Sequence, residues 1–132
     1  MPSQVPKAVL FRPRGEKVCF SLMVARIKTH IWAAALIRRA QSEGAFVYVA
    51  QKGDPDGGIA LIKVRTPDGQ AKLYAPERNF EGERGYRCIA SGAEREIDEK
   101  VQKRARFDPD LWAIEIEDRQ GRTFLTEALF ED

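Results

Sequence analysis

The chain has 132 residues, 43% of them hydrophobic and 32% charged, with a net charge of +2. That is enough for one modest core and too little for two domains. No apolar run approaches the roughly 20 residues needed to cross a bilayer. The two cysteines, Cys19 and Cys88, come with no apolar signal segment that would point to an oxidising compartment. The expectation is a reduced, cytoplasmic protein without a membrane partner.

The charge is unevenly spread. Residues 1–65 carry +7 and residues 66–132 carry −5, an asymmetry that can signal a nucleic-acid partner. Much of it comes from residues 1–22, which carry +3 and hold Pro2, Pro6 and Pro13, leaving 23–132 at −1. Residues 1–22 show no sustained helical period and read as a loosely ordered arm. The remainder, 23–132, reads as one domain.

The first element is a helix from about His30 to Glu43. Thr29 is placed as its N-cap, Trp32, Leu36 and Ala40 form its apolar stripe, and Gly44 stops it. Phe46 to Val49 is a strand by its β-branched and aromatic content. The turn signal Gly53 to Gly58 leads to a second strand, Ile59 to Arg65. Thr66-Pro67-Asp68-Gly69 turns the chain into a third, Gln70 to Tyr74. These three strands read as an antiparallel meander. After a polar loop at 76–85, Tyr86 to Ala90 is a candidate fourth strand.

A second helix is expected from about Gly92 to Arg106, with Ser91 and Glu94 as a capping box and Ala93, Ile97, Val101 and Ala105 as its apolar stripe. Its acids come early and its bases late, matching the helix dipole. Glu96–Lys100 and Glu99–Lys103 have the spacing of helical ion pairs. Asp108-Pro109 stops it. Trp112, Ile114 and Ile116 alternate with Ala113, Glu115 and Glu117, the pattern of a half-buried strand. Arg122 to Leu125 is read as a returning strand. The expected architecture is α+β: an antiparallel sheet of four to six strands with two helices packed on one face.

Several of these segments together resemble a known group. Arg26-Ile27-Lys28-Thr29-x-x-Trp32, Leu36-Ile37-Arg38-Arg39, Gly53-Asp54, Lys63-Val64, Leu73-Tyr74-x-Pro76, Phe107-Asp108-Pro109-Asp110-Leu111-Trp112 and Glu115-Ile116-Glu117-Asp118-Arg119 resemble the bacterial domain-of-unknown-function family 1491. The resemblance covers about Met23 to Leu129, and the Phe-Asp-Pro-Asp-Leu-Trp stretch is its most specific part. It implies no activity and no mechanism. Members of that family begin near the position of Met23, so Met23 is the expected natural start and residues 1–22 an upstream-start extension. Intact mass from the native host tests this; a mass that includes residue 1 rules it out.

Three groups of residues invite a functional reading. Asp108, Asp110 and Glu115 lie close in sequence, and carboxylate oxygens suit hard cations such as Mg²⁺. A metal-dependent hydrolase or nuclease would need them to converge on one point. Against it, the lysine that completes such nuclease patterns is missing, and Glu115 and Glu117 fall on the face opposite Trp112, which alternation places in solvent. Asp54 and Asp56 have the spacing of two calcium-loop ligands without the rest, so their segment reads as a turn. Arg26, Lys28, Arg38, Arg39, Lys52 and Lys63, with Arg65, are candidates for a basic surface that binds phosphates or RNA.

His30 is the only histidine, so any Ser-His-Asp or Cys-His scheme must use it, and it lies at a helix start where a cationic imidazole is disfavoured. Cys88 reads as a small buried hydrophobe. No nucleophile elbow, zinc spacing or dinucleotide fingerprint appears, so no cofactor is expected. The leading expectation is a non-catalytic module that binds a protein or RNA partner; the rival is the metal-dependent enzyme.

Overall fold

The computed structural model describes residues 27–131. The arm at 1–22, Met23, Cys19 and Arg26 lie outside these residues. The elements are α1 (Thr29–Ser42), β1 (Phe46–Gln51), β2 (Ala60–Arg65), β3 (Gln70–Arg78), β4 (Arg84–Ala93), α2 (Glu94–Phe107), β5 (Trp112–Glu117) and β6 (Ala128–Phe130). The fold is α+β, with one six-stranded sheet ordered β1-β5-β2-β3-β4-β6. The β1–β5, β2–β3 and β3–β4 pairs are antiparallel, whereas β2–β5 and β4–β6 are parallel.

The sheet corrects the expected meander. β5 inserts between β1 and β2, pairing Tyr48 with Glu115 on one side and Lys63 with Glu115 on the other. β5 and β2 are therefore adjacent interior strands, and only β2, β3 and β4 remain consecutive neighbours. The Thr66–Gly69 turn forms as expected, with Gly69 at φ 83° and its N–H donating to the Thr66 carbonyl at 3.2 Å. Residues 122–127 are irregular, so the returning strand is found instead as the short β6.

The helices lie on opposite faces of the sheet, where one face was expected. Alternation along β2 sends Ile62 and Val64 to one side and Leu61 and Lys63 to the other. Leu36 and Ala40 of α1 join Ile62, Val64, Ile114 and Ile116 in one core. Ile97 and Val101 of α2 join Leu61, Leu73, Ala113 and Leu111 in a second. Five successive residues of β2, Ala60 to Val64, are buried, as a strand covered on both sides must be.

Two expected caps are replaced. The Thr29 hydroxyl donates to the Gly58 carbonyl at 2.8 Å, and Lys28 takes the N-cap position without a side-chain bond. Ala93 caps α2, and Glu94 turns away from the helix end toward Lys63 and Arg65. Gly44, at φ 91°, does follow the α1 C-cap, and the Ala45 N–H reaches back to the Ala40 carbonyl. Cys88 is exposed rather than buried, because β4 lies near the sheet edge, next to the three-residue β6. No described helix is long and apolar enough to cross a membrane.

The segment 53–58 is a clamp. The Asp54 N–H donates to the Asp110 carbonyl at 3.0 Å, and the Trp112 indole N–H donates to the Asp54 carbonyl at 2.8 Å. A Cβ at Gly53 or at Gly58 would run into the Asp110 carbonyl oxygen, so both positions require glycine. Gly53-Asp54 and Asp110-Leu111-Trp112, distant in sequence, thus meet in space.

Candidate functional site: the groove beside the second helix

Helix α2 carries three stripes. Ile97 and Val101 face the sheet. At 100° per residue, Glu94 and Asp98 fall on one flank, and Lys100, Lys103, Arg104 and Phe107 on the other. The two flanks meet different parts of the sheet and do different chemistry.

The acidic flank closes over Lys63. This side chain is 3% exposed, and its ammonium donates to Glu94 at 2.8 Å, to Asp98, and to Glu115 at 3.4 Å. Arg65 extends the network to Glu94 and Glu117. Burial alone would lower the Lys63 pKa, but hydrogen bonds to Asp98 and Glu94 and the nearby Glu115 charge outweigh it and raise the value. The Lys63 hydrogen bond holds the Glu94 carboxyl below its ordinary range. Hydrogen bonding to Glu115 raises the Tyr48 phenol. Lys63 is therefore a fixed ammonium, the opposite of the depressed lysine that Schiff-base chemistry needs.

One carboxylate oxygen from each of Glu94, Asp98 and Glu115 lies within 4.8 Å of the others, a ligand set that suits a hard cation. The Lys63 ammonium already holds that place. Glu115 is thus brought to Glu94 and Asp98, and not to Asp108 and Asp110. Asp108 caps the C-terminus of α2 and accepts from the Asp110 N–H at 3.1 Å, while the Asp110 side chain faces outward. Glu115 lies under α2, so its face of β5 is not the solvated one that alternation alone suggested.

The basic candidates separate. Lys63 is buried on the α2 side. Lys28, exposed, lies 3.8 Å from Asp56. Arg38 is exposed on α1, and Lys52 is exposed just past β1. Arg39 donates twice to the Phe124 carbonyl, at 3.0 and 2.9 Å, and burial lowers its pKa against the opposing pull of Glu127. The His30 imidazole sits 3.0 Å from the Pro55 carbonyl.

The other flank of α2 borders a groove of about 530 Å³. The buried Leu73 and Leu111 and the exposed Ile59, Ile89 and Phe107 line it, together with Lys100, Lys103 and Arg104 of α2. Phe107 is 82% exposed. None of the three cations makes an ion pair with another described residue. The helical pairs expected at Glu96–Lys100 and Glu99–Lys103 do not form. The signal that locates this groove was present in the chain: 100, 103, 104 and 107 follow the i, i+3, i+4, i+7 rule. Reading those bases as dipole partners hid it.

A family model described as a protein of unknown function (DUF1491) matches residues 27–126. The chain belongs to the DUF1491 family. A crystal structure of a DUF1491 family protein from Caulobacter crescentus CB15 is 45% identical, covering 79% of this chain and 99% of that one with a TM-score of 0.75. An NMR structure of a DUF1491 family protein from the same organism is 42% identical, over 80% of this chain and 98% of that one, with a TM-score of 0.73. The solution structure of a protein from A. tumefaciens is 31% identical, over 80% and 98% of the two chains, with a TM-score of 0.67. No curated protein matches. DUF1491 membership carries no activity with it, so function must be argued from the site.

Proposed function

We propose that this DUF1491 chain is a non-catalytic protein-binding module, and that the groove beside α2 is its recognition site. The observation that carries this reading is the pairing of exposed apolar residues, Ile59, Ile89 and Phe107, with three cations that have no internal partner. Exposed apolar surface bordered by polar groups marks interaction sites. Its chemistry fits a segment with a large apolar anchor flanked by acidic residues. The anchor would lie on Leu73 and Leu111, and its carboxylates would meet Lys100, Lys103 and Arg104. By contrast, the strongest internal charges, Lys63 and Asp118, are each committed to partners, which favours recognition over acid–base chemistry.

A labelled peptide with a Phe anchor between Asp and Glu residues tests the reading directly. The expected result is saturable binding that weakens with added salt and is lost in the double variant Lys103→Glu, Arg104→Glu. Equal binding of an isomer with Lys in place of the acids would overturn it, as would no binding at low salt. Titration with single-stranded RNA separates the nucleic-acid version, because RNA needs cations and stacking faces rather than an apolar anchor.

A further inference from the structure

A second cavity, of about 770 Å³, opens between α1, the 56–60 segment and strands β3 and β4. Its volume falls within the range of small-molecule sites, roughly 300–1,000 Å³. Trp32 and Tyr86 line it with rings that are parallel within 3°, their centroids 6.1 Å apart. Both rings are tied down by their polar atoms. The Trp32 indole N–H donates to Glu127 Oε2 at 2.7 Å, and the Tyr86 hydroxyl donates to the Ala60 carbonyl at 3.0 Å.

Two features of this lining point to a ligand. The first is Glu127, whose Oε1 is buried and has no hydrogen-bond partner among the described residues. A buried carboxylate oxygen left unpaired costs free energy that an N–H donor recovers. The second is a pair of like charges. Arg78 and Arg84 are opposed across the β3–β4 ladder, and both line the cavity. Their strands carry Tyr74 and Tyr86 into the α1 core, and alternation puts both arginines on that same face. Like charges directly opposite repel. An anion between them removes the repulsion and meets guanidinium groups that suit phosphate geometry. The other acids of the lining are engaged elsewhere, Glu77 with Arg87 at 2.7 Å and Asp56 with Lys28 at 3.8 Å.

We propose that this cavity binds a small molecule with two ends, a flat ring edged with N–H donors and a phosphate, as in a nucleoside monophosphate. The ring lies against Trp32 and Tyr86 and donates to Glu127. The carboxyl torsion of glutamate is soft, so Oε1 turns toward a donor while Oε2 keeps Trp32. The phosphate sits between Arg78 and Arg84. Arg84 and Tyr86 are two residues apart on β4, about 7 Å, which leaves room for a sugar between ring and phosphate. Guanine suits the acidic end, because its edge presents adjacent N–H donors to the two oxygens of one carboxylate. Simpler occupants meet only half of the site. A phosphate alone leaves Glu127 Oε1 unpaired, and an amine alone leaves the two arginines opposed. The site lies on the α1 face of the sheet and does not depend on the peptide groove beside α2.

Calorimetric titration of the full chain with guanosine monophosphate should show one saturable site. Guanosine, which lacks the anion, and inorganic phosphate, which lacks the ring, should each bind at least about tenfold more weakly. Glu127→Gln, which sets an amide N–H against the donor edge, should weaken monophosphate binding about tenfold, but not that of inorganic phosphate. Arg78→Ser, at an exposed position, should weaken the monophosphate by a similar factor, but not guanosine. No saturable binding of the monophosphate overturns the inference, and so does binding that neither variant weakens. Equal affinity for inorganic phosphate would reveal an anion site only and would overturn it too. Arg78→Ser carries the test if Glu127→Gln does not fold.

Discussion

The two faces of the β2–β5 pair are closed in different ways. On the α1 side, Leu36 and Ala40 meet Ile62, Val64, Ile114 and Ile116, and the seal is apolar throughout. On the α2 side, apolar contacts from Ile97 and Val101 are followed along the same strand by Lys63 among three carboxylates. One strand thus supports an apolar seal and an ionic one, two residues apart. The apolar side gains from burial itself. The ionic side gains little net stability, because desolvating Lys63 offsets much of the attraction, but it sets the orientation of α2. With its acidic flank held over β2 and β5, α2 must present Lys100, Lys103, Arg104 and Phe107 toward β4. The charge cluster is therefore what aims the groove.

The largest effect should come from breaking the apolar side. Leu36→Ala removes a fully buried side chain and should cost about 3 kcal/mol, read as a lower urea midpoint with an unchanged slope. Lys63→Met should cost less, about 2 kcal/mol at neutral pH, since the stranded carboxylates are part-exposed and can be rehydrated. A loss larger than that of Leu36→Ala would reverse the ranking of the two faces. This variant should also disturb peptide capture at the groove while Leu36→Ala does not, provided each is measured where it is folded.

A pH series sharpens the comparison further. Glu94 is lowered by Lys63, and Asp118 is lowered to about 2, chiefly by its hydrogen bond from Arg122. Groups lowered in the folded state contribute stability that is fully present above their unfolded pKa, about 4 for these carboxyls. That contribution is lost as pH falls through the folded values. Unfolding free energy should hold steady from neutral pH to about 5, then fall from about 4 toward 2. Lys63→Met should flatten the Glu94 part of that slope and leave the Asp118 part. Lys63, raised, acts at the other end: its contribution is present below an unfolded pKa of about 10.4 and lost above it. The smallest stability effect belongs to Lys103→Glu, within about 0.5 kcal/mol as for other surface changes, although peptide binding should fall about tenfold. If stability falls instead, Lys103 has a structural role.

Much of this was legible in the chain. The C-terminal stops of both helices, the Thr66–Gly69 turn and the family stretch at 107–112 were readable because glycine, turn chemistry and proline act locally, whereas both N-terminal caps were misread because Thr29 and Glu94 are drawn to distant partners. The insertion of β5 between β1 and β2 was not, since pairing of distant strands leaves no local mark. Period-two alternation showed that Lys63 and Glu115 each point away from the apolar row, but it cannot say whether a helix lies above them. That single unknown turned a buried ion cluster into an apparent surface, and it sent both helices to one face. It also placed Lys63 in a basic patch that the fold divides between two sides of the sheet.

The glycine clamp has a consequence for how the molecule opens. His30 N–H to Pro55, Asp54 N–H to Asp110, and Trp112 N–H to Ile59 are bonds that tie a helix start, a loop and a strand start to the clamp and the residue that follows it, 53–59. None of the three can break by fraying alone, because Gly53 and Gly58 seat the segment against the Asp110 backbone. Amide hydrogens of His30, Asp54 and Trp112 should therefore exchange with a shared opening free energy, although they sit at a helix start, a loop and a strand start. The start of α1 and the end of α2, on opposite faces of the sheet, would come loose as one unit.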